Sequence, residues 1–206
     1  MVYERPKLVM ALGSTGGYLG MWEVMDSVDP EAMKKGTIYF IEHEMYTSLY
    51  KKMFDRIGIY LDENTVRGDT LLENGRFYMY PGVFVERDKR VHVLSLHKTV
   101  KDEIIFLESE IPRKKRFMPG KKVMDFNIDQ ALKAGYGDDM MVVFLSGFFN
   151  DGCYSIERAK KRGVKTLIQA PKTALKEEMP VNANGKVNVG FRTPEEIGLE
   201  INGFLS

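Results

Sequence analysis

The sequence predicts an α/β fold: a mainly parallel sheet with helices on both faces and an antiparallel hairpin insertion in the middle of the chain. Three observations predict it. Residues 7–12, 37–41 and 140–145 are short runs that are apolar almost throughout, the pattern of strands buried on both faces, and 165–169, after Gly163-Val164, reads as a fourth strand. Segments with helical spacing or helix-start signals lie between and after them, so strand and helix alternate as they do when crossovers link parallel strands. Residues 77–96 differ. They alternate and carry the turn-like pairs Pro81-Gly82 and Asp88-Lys89, which suggests antiparallel hairpins.

The first run ends at Gly13 and passes into Ser14-Thr15-Gly16-Gly17, a strand leading to a glycine turn. Trp22, Val24, Met25 and Val28 suit a helix packed on that strand. The β-branched and aromatic run at 37–41 is the second strand. Beyond His43, Leu49, Met53, Phe54 and Ile57 share one helical face, predicting a helix over 47–57. Residues 111–122 hold two prolines, one glycine and six basic residues and read as a loop. A helix over 125–134, a strand at 140–145, a helix over 154–162 and a strand at 165–169 follow. Thr193-Pro194-Glu195-Glu196 supplies an N-cap, a proline at the first helical position and a capping-box glutamate. The helix it opens runs through Ile201. With no internal repeat or linker, a single domain over residues 1–206 is expected.

Composition bounds the function. A chain of 206 residues fits one domain with a sizeable core. An apolar share of 44% and a charged share of 29% are those of a globular protein, not a disordered one. The net charge of +1 gives no overall field to attract nucleic acid or a membrane surface, so any electrostatic role is local. Cys153 is the single cysteine, which excludes an intrachain disulfide and fits a reducing compartment. Residues 1–7 lack the features of a signal peptide, and no apolar run approaches the ~20 residues of a membrane helix. A cytoplasmic protein without membrane insertion is expected.

Ser14, His43 and Asp151 each fall just after a predicted parallel strand, the end at which such sheets bind ligands. Acyl transfer needs a nucleophile, a base, an acid that orients the base, and donors for the oxyanion. Ser14 sits in a tight turn with small neighbours. Thr15, Gly16 and Gly17 would offer backbone N–H groups at a helix N-terminus, an electropositive place for an oxyanion. A glycine turn of this kind also binds phosphates, but the P-loop ending and the dinucleotide pattern are both absent. His43 also fits an ordinary loop histidine, and Asn150-Asp151-Gly152 an ordinary turn. As a triad acid, Asp151 would hold the imidazole in the accepting tautomer. His92 and His97 belong to the alternating region and read as surface or cross-strand residues. Without a second histidine near His43 or a cysteine cluster, no metal site is expected. Cys153 has no basic companion and reads as a small buried thiol.

The segment Ser14-Thr15-Gly16-Gly17, then His43, then Leu145-Ser146-Gly147-Phe148-Phe149-Asn150-Asp151-Gly152 resembles the catalytic domain of CheB-type methylesterases. Met179-Pro180 resembles a further family segment, and residues 68–82 its central hairpin segment. The resemblance runs from Leu8 to about Ile201. It implies a doubly wound sheet and a nucleophile, base and acid at Ser14, His43 and Asp151. It places oxyanion donors at Thr15 and the Phe148 N–H, with Met179 beside the substrate. The implied reaction is cofactor-free hydrolysis of glutamyl methyl esters on the cytoplasmic helices of methylated chemoreceptors, releasing methanol; some members also deamidate receptor glutamines. A family member that keeps the fold and only binds, and a nucleotide-binding regulator using the glycine turn, are the alternatives.

Four departures from the family stand out. Phe148-Phe149 replace Met-Gly, Glu44 follows His43, Glu178 precedes Met179-Pro180, and residues 119–125 match only loosely. If Phe149 must take a glycine-type backbone conformation, the placement of the donor at Phe148 depends on it. The first strand begins at Lys7, which leaves no room for the receiver domain that family enzymes usually carry. Constitutive activity, or control by a separate partner, is therefore expected. Arg113, Lys114, Lys115, Arg116, Lys121 and Lys122 either form a solvated loop or steer acidic receptor helices toward the site.

Overall fold

The computed structural model describes residues 3–42, 70–80, 85–87, 90–111 and 123–206. The chain opens with β1 (Lys7–Gly13), α1 (Gly17–Met25), α2 (Pro30–Met33) and β2 (Gly36–Glu42). Five strands follow, β3 (Thr70–Leu71), β4 (Arg76–Tyr80), β5 (Val85–Arg87), β6 (Arg90–Lys98) and β7 (Ile104–Ile111). The last part is α3 (Val123–Lys133), β8 (Met140–Phe144), α4 (Ile156–Lys161), β9 (Lys165–Ile168), α5 (Glu178–Val187) and α6 (Pro194–Leu205).

The main sheet has the order β4-β2-β1-β8-β9, and all its pairings are parallel. Apolar side chains alternate across it, so both faces are buried. Leu8, Met10, Leu12, Tyr39, Ile41 and Phe144 pack with α3, α4 and α5 through residues such as Ile128, Ile156 and Ala183. Val9, Ala11, Ile38, Phe40 and Val143 pack on the opposite face with α1, α2 and α6 through Met21, Val24, Ala32 and Ile197. This two-sided burial is why β1, β2 and β8 are predominantly apolar. From β1 the chain builds outward to β2 and β4, then crosses back to add β8 and β9 on the other side. The direction reverses between β1 and β8, and ligand sites of such sheets lie beyond the strand ends at that switch.

A smaller antiparallel sheet, in the order β3-β7-β6-β5, adds Leu96, Ile104 and Phe106 to the first core. Its hairpins join β5 to β6 and β6 to β7. Residues 77–80 are not part of it. They lie in β4, paired parallel to β2, with Phe77 and Met79 buried on one face and Tyr78 and Tyr80 on the other. The tyrosines make the run look half polar, yet their hydroxyls are satisfied inside. Tyr78 donates to the Leu71 carbonyl, and Tyr80 accepts from the Leu94 N–H.

Thr193 caps α6 in the expected box with Glu196, and the helix continues to Leu205. The helix expected over 47–57 and the basic residues 113–122 lie outside the described residues. Among the described helices none is long and apolar enough to cross a membrane.

Candidate active site

Ser14 follows the last residue of β1 and is buried, with 5% of its surface exposed. Its N–H donates to the Ser146 carbonyl at 2.9 Å, and its carbonyl accepts from the Gly17 N–H at 2.6 Å. The second bond closes the turn, with Gly16 in the left-handed region at φ 80° as the N-cap of α1. Only small residues fit here. A Cβ on Gly13 would stand 2.8 Å from the Gly17 Cα, and one on Gly16 would stand 2.6 Å from the Leu175 Cβ. The N-terminus of α1 also receives a carboxylate from β2: Glu42, fully buried, accepts from the Tyr18 N–H through Oε1 at 2.8 Å.

The segment after β8 comes up against this turn. A Cβ on Gly147 would lie 2.8 Å from the Ser14 Cβ, 3.1 Å from the Ser14 N and 3.2 Å from the Met179 Cε. The Gly147 N–H donates to the Lys176 carbonyl, and its carbonyl accepts from the Met179 N–H. Ser14, Gly16, Gly147, Leu175 and Met179 are thereby brought together. Phe148 is half-buried, with the Lys176 Nζ 5.0 Å from its ring centre.

Phe149 takes φ 69°, the left-handed region that favours glycine. A side chain there costs about 1–2 kcal/mol. The chain holds this glycine-type conformation with a phenylalanine. Its carbonyl accepts from the Asn182 Nδ2 at 3.0 Å.

Asp151 is 3% exposed and sits on the N-terminus of α3, where the Met124 and Asp125 N–H groups donate to its two oxygens at 3.1 and 3.0 Å. Burial pushes its carboxyl up to about 6, and the donated N–H groups limit the rise. Asp125, also buried, accepts from the Ser155 N–H; burial, and then the Asp151 charge, raises its carboxyl too. Gly152, at φ 85°, has no room for a side chain, since a Cβ would come within 2.9 Å of the Phe144 ring. That contact packs the Asp151 turn directly onto the core.

Gly13 pairs with Glu42 in the sheet register. His43 is the next residue in sequence and lies outside the described residues. His97 is in β6, with Nε2 3.1 Å from the Ser95 hydroxyl, and burial lowers its ring's proton affinity. His92 pairs with Val85 and Glu110 in the antiparallel sheet. The Cys153 thiol is buried, and burial, with the Asp125 and Asp151 charges, pushes it up to about 12. It stays protonated and is no nucleophile at neutral pH. Among the described residues no three His, Cys, Asp or Glu side chains form a group able to hold a metal ion.

Two supporting residues escaped the sequence reading. The Ser146 hydroxyl donates to the Thr15 carbonyl and accepts from the Lys176 N–H, both at 2.8 Å. Gln169, fully buried, accepts from the Ser146 N–H and donates to the Thr173 carbonyl. The available signal was the first polar residue after each of two strand runs, Ser146 after 140–145 and Gln169 after β9.

The chain matches the CheB methylesterase family over residues 9–201. The fold is similar to the crystal structure of the CheB methylesterase catalytic domain of Thermotoga maritima, with a TM-score of 0.77 and 18% sequence identity, over 98% of this chain and 99% of that one. No curated protein matches the sequence. With a strand-end serine turn packed against the segment that leads to Asp151, and a family match spanning nearly its whole length, the chain belongs to the CheB methylesterase family.

Proposed function

We propose that the chain is a protein-glutamate methylesterase in which Ser14 is the nucleophile, His43 the general base and Asp151 the acid that orients it. The observation that carries this reading is the close approach of Ser14 and Gly147 at the carboxyl ends of β1 and β8. Ser14 Oγ attacks the glutamyl ester carbonyl while His43 takes its proton. Backbone N–H groups at Thr15 and Phe148 receive the oxyanion, at the turn formed with Gly16 and Gly17. His43 then protonates the departing methoxide, methanol leaves, and water hydrolyses the acyl-serine by the same steps in reverse. Asp151, with its carboxyl near 6, is ionised at neutral pH and stabilises the imidazolium. Met179, fully buried against Gly147, backs the acyl pocket.

The substrates are methylated chemoreceptor cytoplasmic helices, met in the cytoplasm, and receptor glutamines are candidates for deamidation by the same attack on an amide. All the catalytic groups come from the protein. The test is methanol release from methyl-labelled receptor membranes. Release by wild type and none by Ser14→Ala is expected. Equal release from both would remove Ser14 from the mechanism, and no release by folded wild type would favour a member that binds without hydrolysis.

A further inference from the structure

Phe149 combines two features that rarely occur together. Its backbone is held in the left-handed region at φ 69°, and 53% of its surface is exposed. An apolar ring that neither fills the core nor suits its backbone gains little for the fold, and strain of this kind collects where function requires it. Its position is defined. Phe149 lies two residues beyond Gly147, which touches Ser14, and its ring stands 6.1 Å from that of Phe148. Leu175, 60% exposed, abuts the serine turn at Gly16, and Lys176 places its ammonium over the Phe148 ring. These side chains form an apolar lip with one cation beside the serine turn.

Resting on the esterase reading above, we propose that Phe149 is a specificity-determining residue. Its exposed ring packs against an apolar side chain of the polypeptide that carries the ester, while Lys176 faces an acidic neighbour on the same segment. An amphipathic, acidic helix has that chemistry. The strained backbone serves to aim the ring outward from the segment that holds the Phe148 N–H, so it contributes to substrate capture and not to the chemical step.

The test compares wild type, Phe149→Gly and Phe149→Tyr in methanol release from methyl-labelled receptor membranes, with thermal unfolding of each. Glycine suits the backbone, so Phe149→Gly should fold with a midpoint at or above that of wild type. Its KM should rise about tenfold, the scale of losing one apolar side-chain contact, with kcat within about twofold. Phe149→Tyr keeps the ring and should keep the wild-type KM. An unchanged KM in Phe149→Gly overturns the proposal, as does a loss confined to kcat, which would assign the residue to oxyanion placement. A lowered midpoint with the raised KM overturns it as well, by making the ring a packing element. If wild type releases no methanol, or Ser14→Ala releases as much as wild type, the esterase reading fails and this proposal falls with it.

Discussion

The turn after β1 and the turn after β8 impose the same backbone requirement and meet it differently. Each holds a residue in the left-handed region two positions past the contact of Ser14 with Gly147, Gly16 in one and Phe149 in the other. At Gly16 the requirement is double, because a Cβ would run into Leu175 at 2.6 Å. At Phe149 the side chain leaves toward solvent, so only the backbone objects. Glycine is thus demanded by space at position 16 and merely preferred by torsion at position 149. A loop that tolerates about 1–2 kcal/mol of torsional strain is a place where side chains can be exchanged to change specificity without disturbing the sheet.

The sharpest way to separate the two turns is through Asp151, which belongs only to the second. Asp151→Asn is expected to lower receptor demethylation by about 10⁴-fold, the scale on which triad acids act, measured as initial methanol release. The same residue sets a pH signature. Its folded carboxyl, near 6, lies above the ordinary 3.8, so the native state holds a proton that the unfolded chain has already lost. Stability is therefore fully favoured below about pH 4 and declines as pH rises toward 6, while activity rises over the same window as the carboxylate forms. Asp125, raised in the same direction, adds to the slope. Denaturant midpoints between pH 4 and 7 should flatten in Asp151→Asn, and an unchanged slope would contradict the assignment of burial as its cause.

Next in size is Gly147→Ala. Its methyl would press on the Ser14 backbone and Cβ, and activity should fall about 10²-fold through misplacement of the nucleophile, with the fold retained by circular dichroism. Gly16→Ala meets both the torsional and the steric objection and should cost roughly 2–3 kcal/mol in urea unfolding. If it costs no more than a few tenths, the contrast between the turns dissolves. Smallest is Ser146→Ala. Loss of the hydroxyl that joins Thr15 to Lys176 should cost about 1–2 kcal/mol, with a larger effect on kcat than on KM.

Much of this was readable in the sequence, and what was not has identifiable causes. The runs that became β1, β2 and β8 are apolar on both faces, so their burial needed no tertiary knowledge. Ser14 and Asp151 stood out because each follows such a run. Residues 77–80 were misassigned because period-two alternation does not register tyrosines whose hydroxyls are bonded inside a core. β7 went unread because Glu108, Ser109 and Glu110 interrupt its apolar run, and α5 because Asn182, Asn184 and Gly185 are weak helix formers. The Ser146 and Gln169 supports come from long-range hydrogen bonds, which leave no local pattern. The torsion at Phe149 was posed by the sequence as a question, and only the backbone answers it.

The central position of β1 has a consequence for how the protein is made. Its pairing with β2 joins residues such as Leu8 and Thr37, close in the chain, whereas its pairing with β8 joins Leu8 to Met140. Contacts of long sequence separation carry the larger loop-closure entropy and form late. During synthesis the serine turn therefore exists well before the segment bearing Asp151 emerges. A half-made chain carries the proposed nucleophile without the proposed acid, so regain of hydrolysis after dilution from denaturant should track the slowest phase of refolding, making catalysis a reporter of the completed sheet.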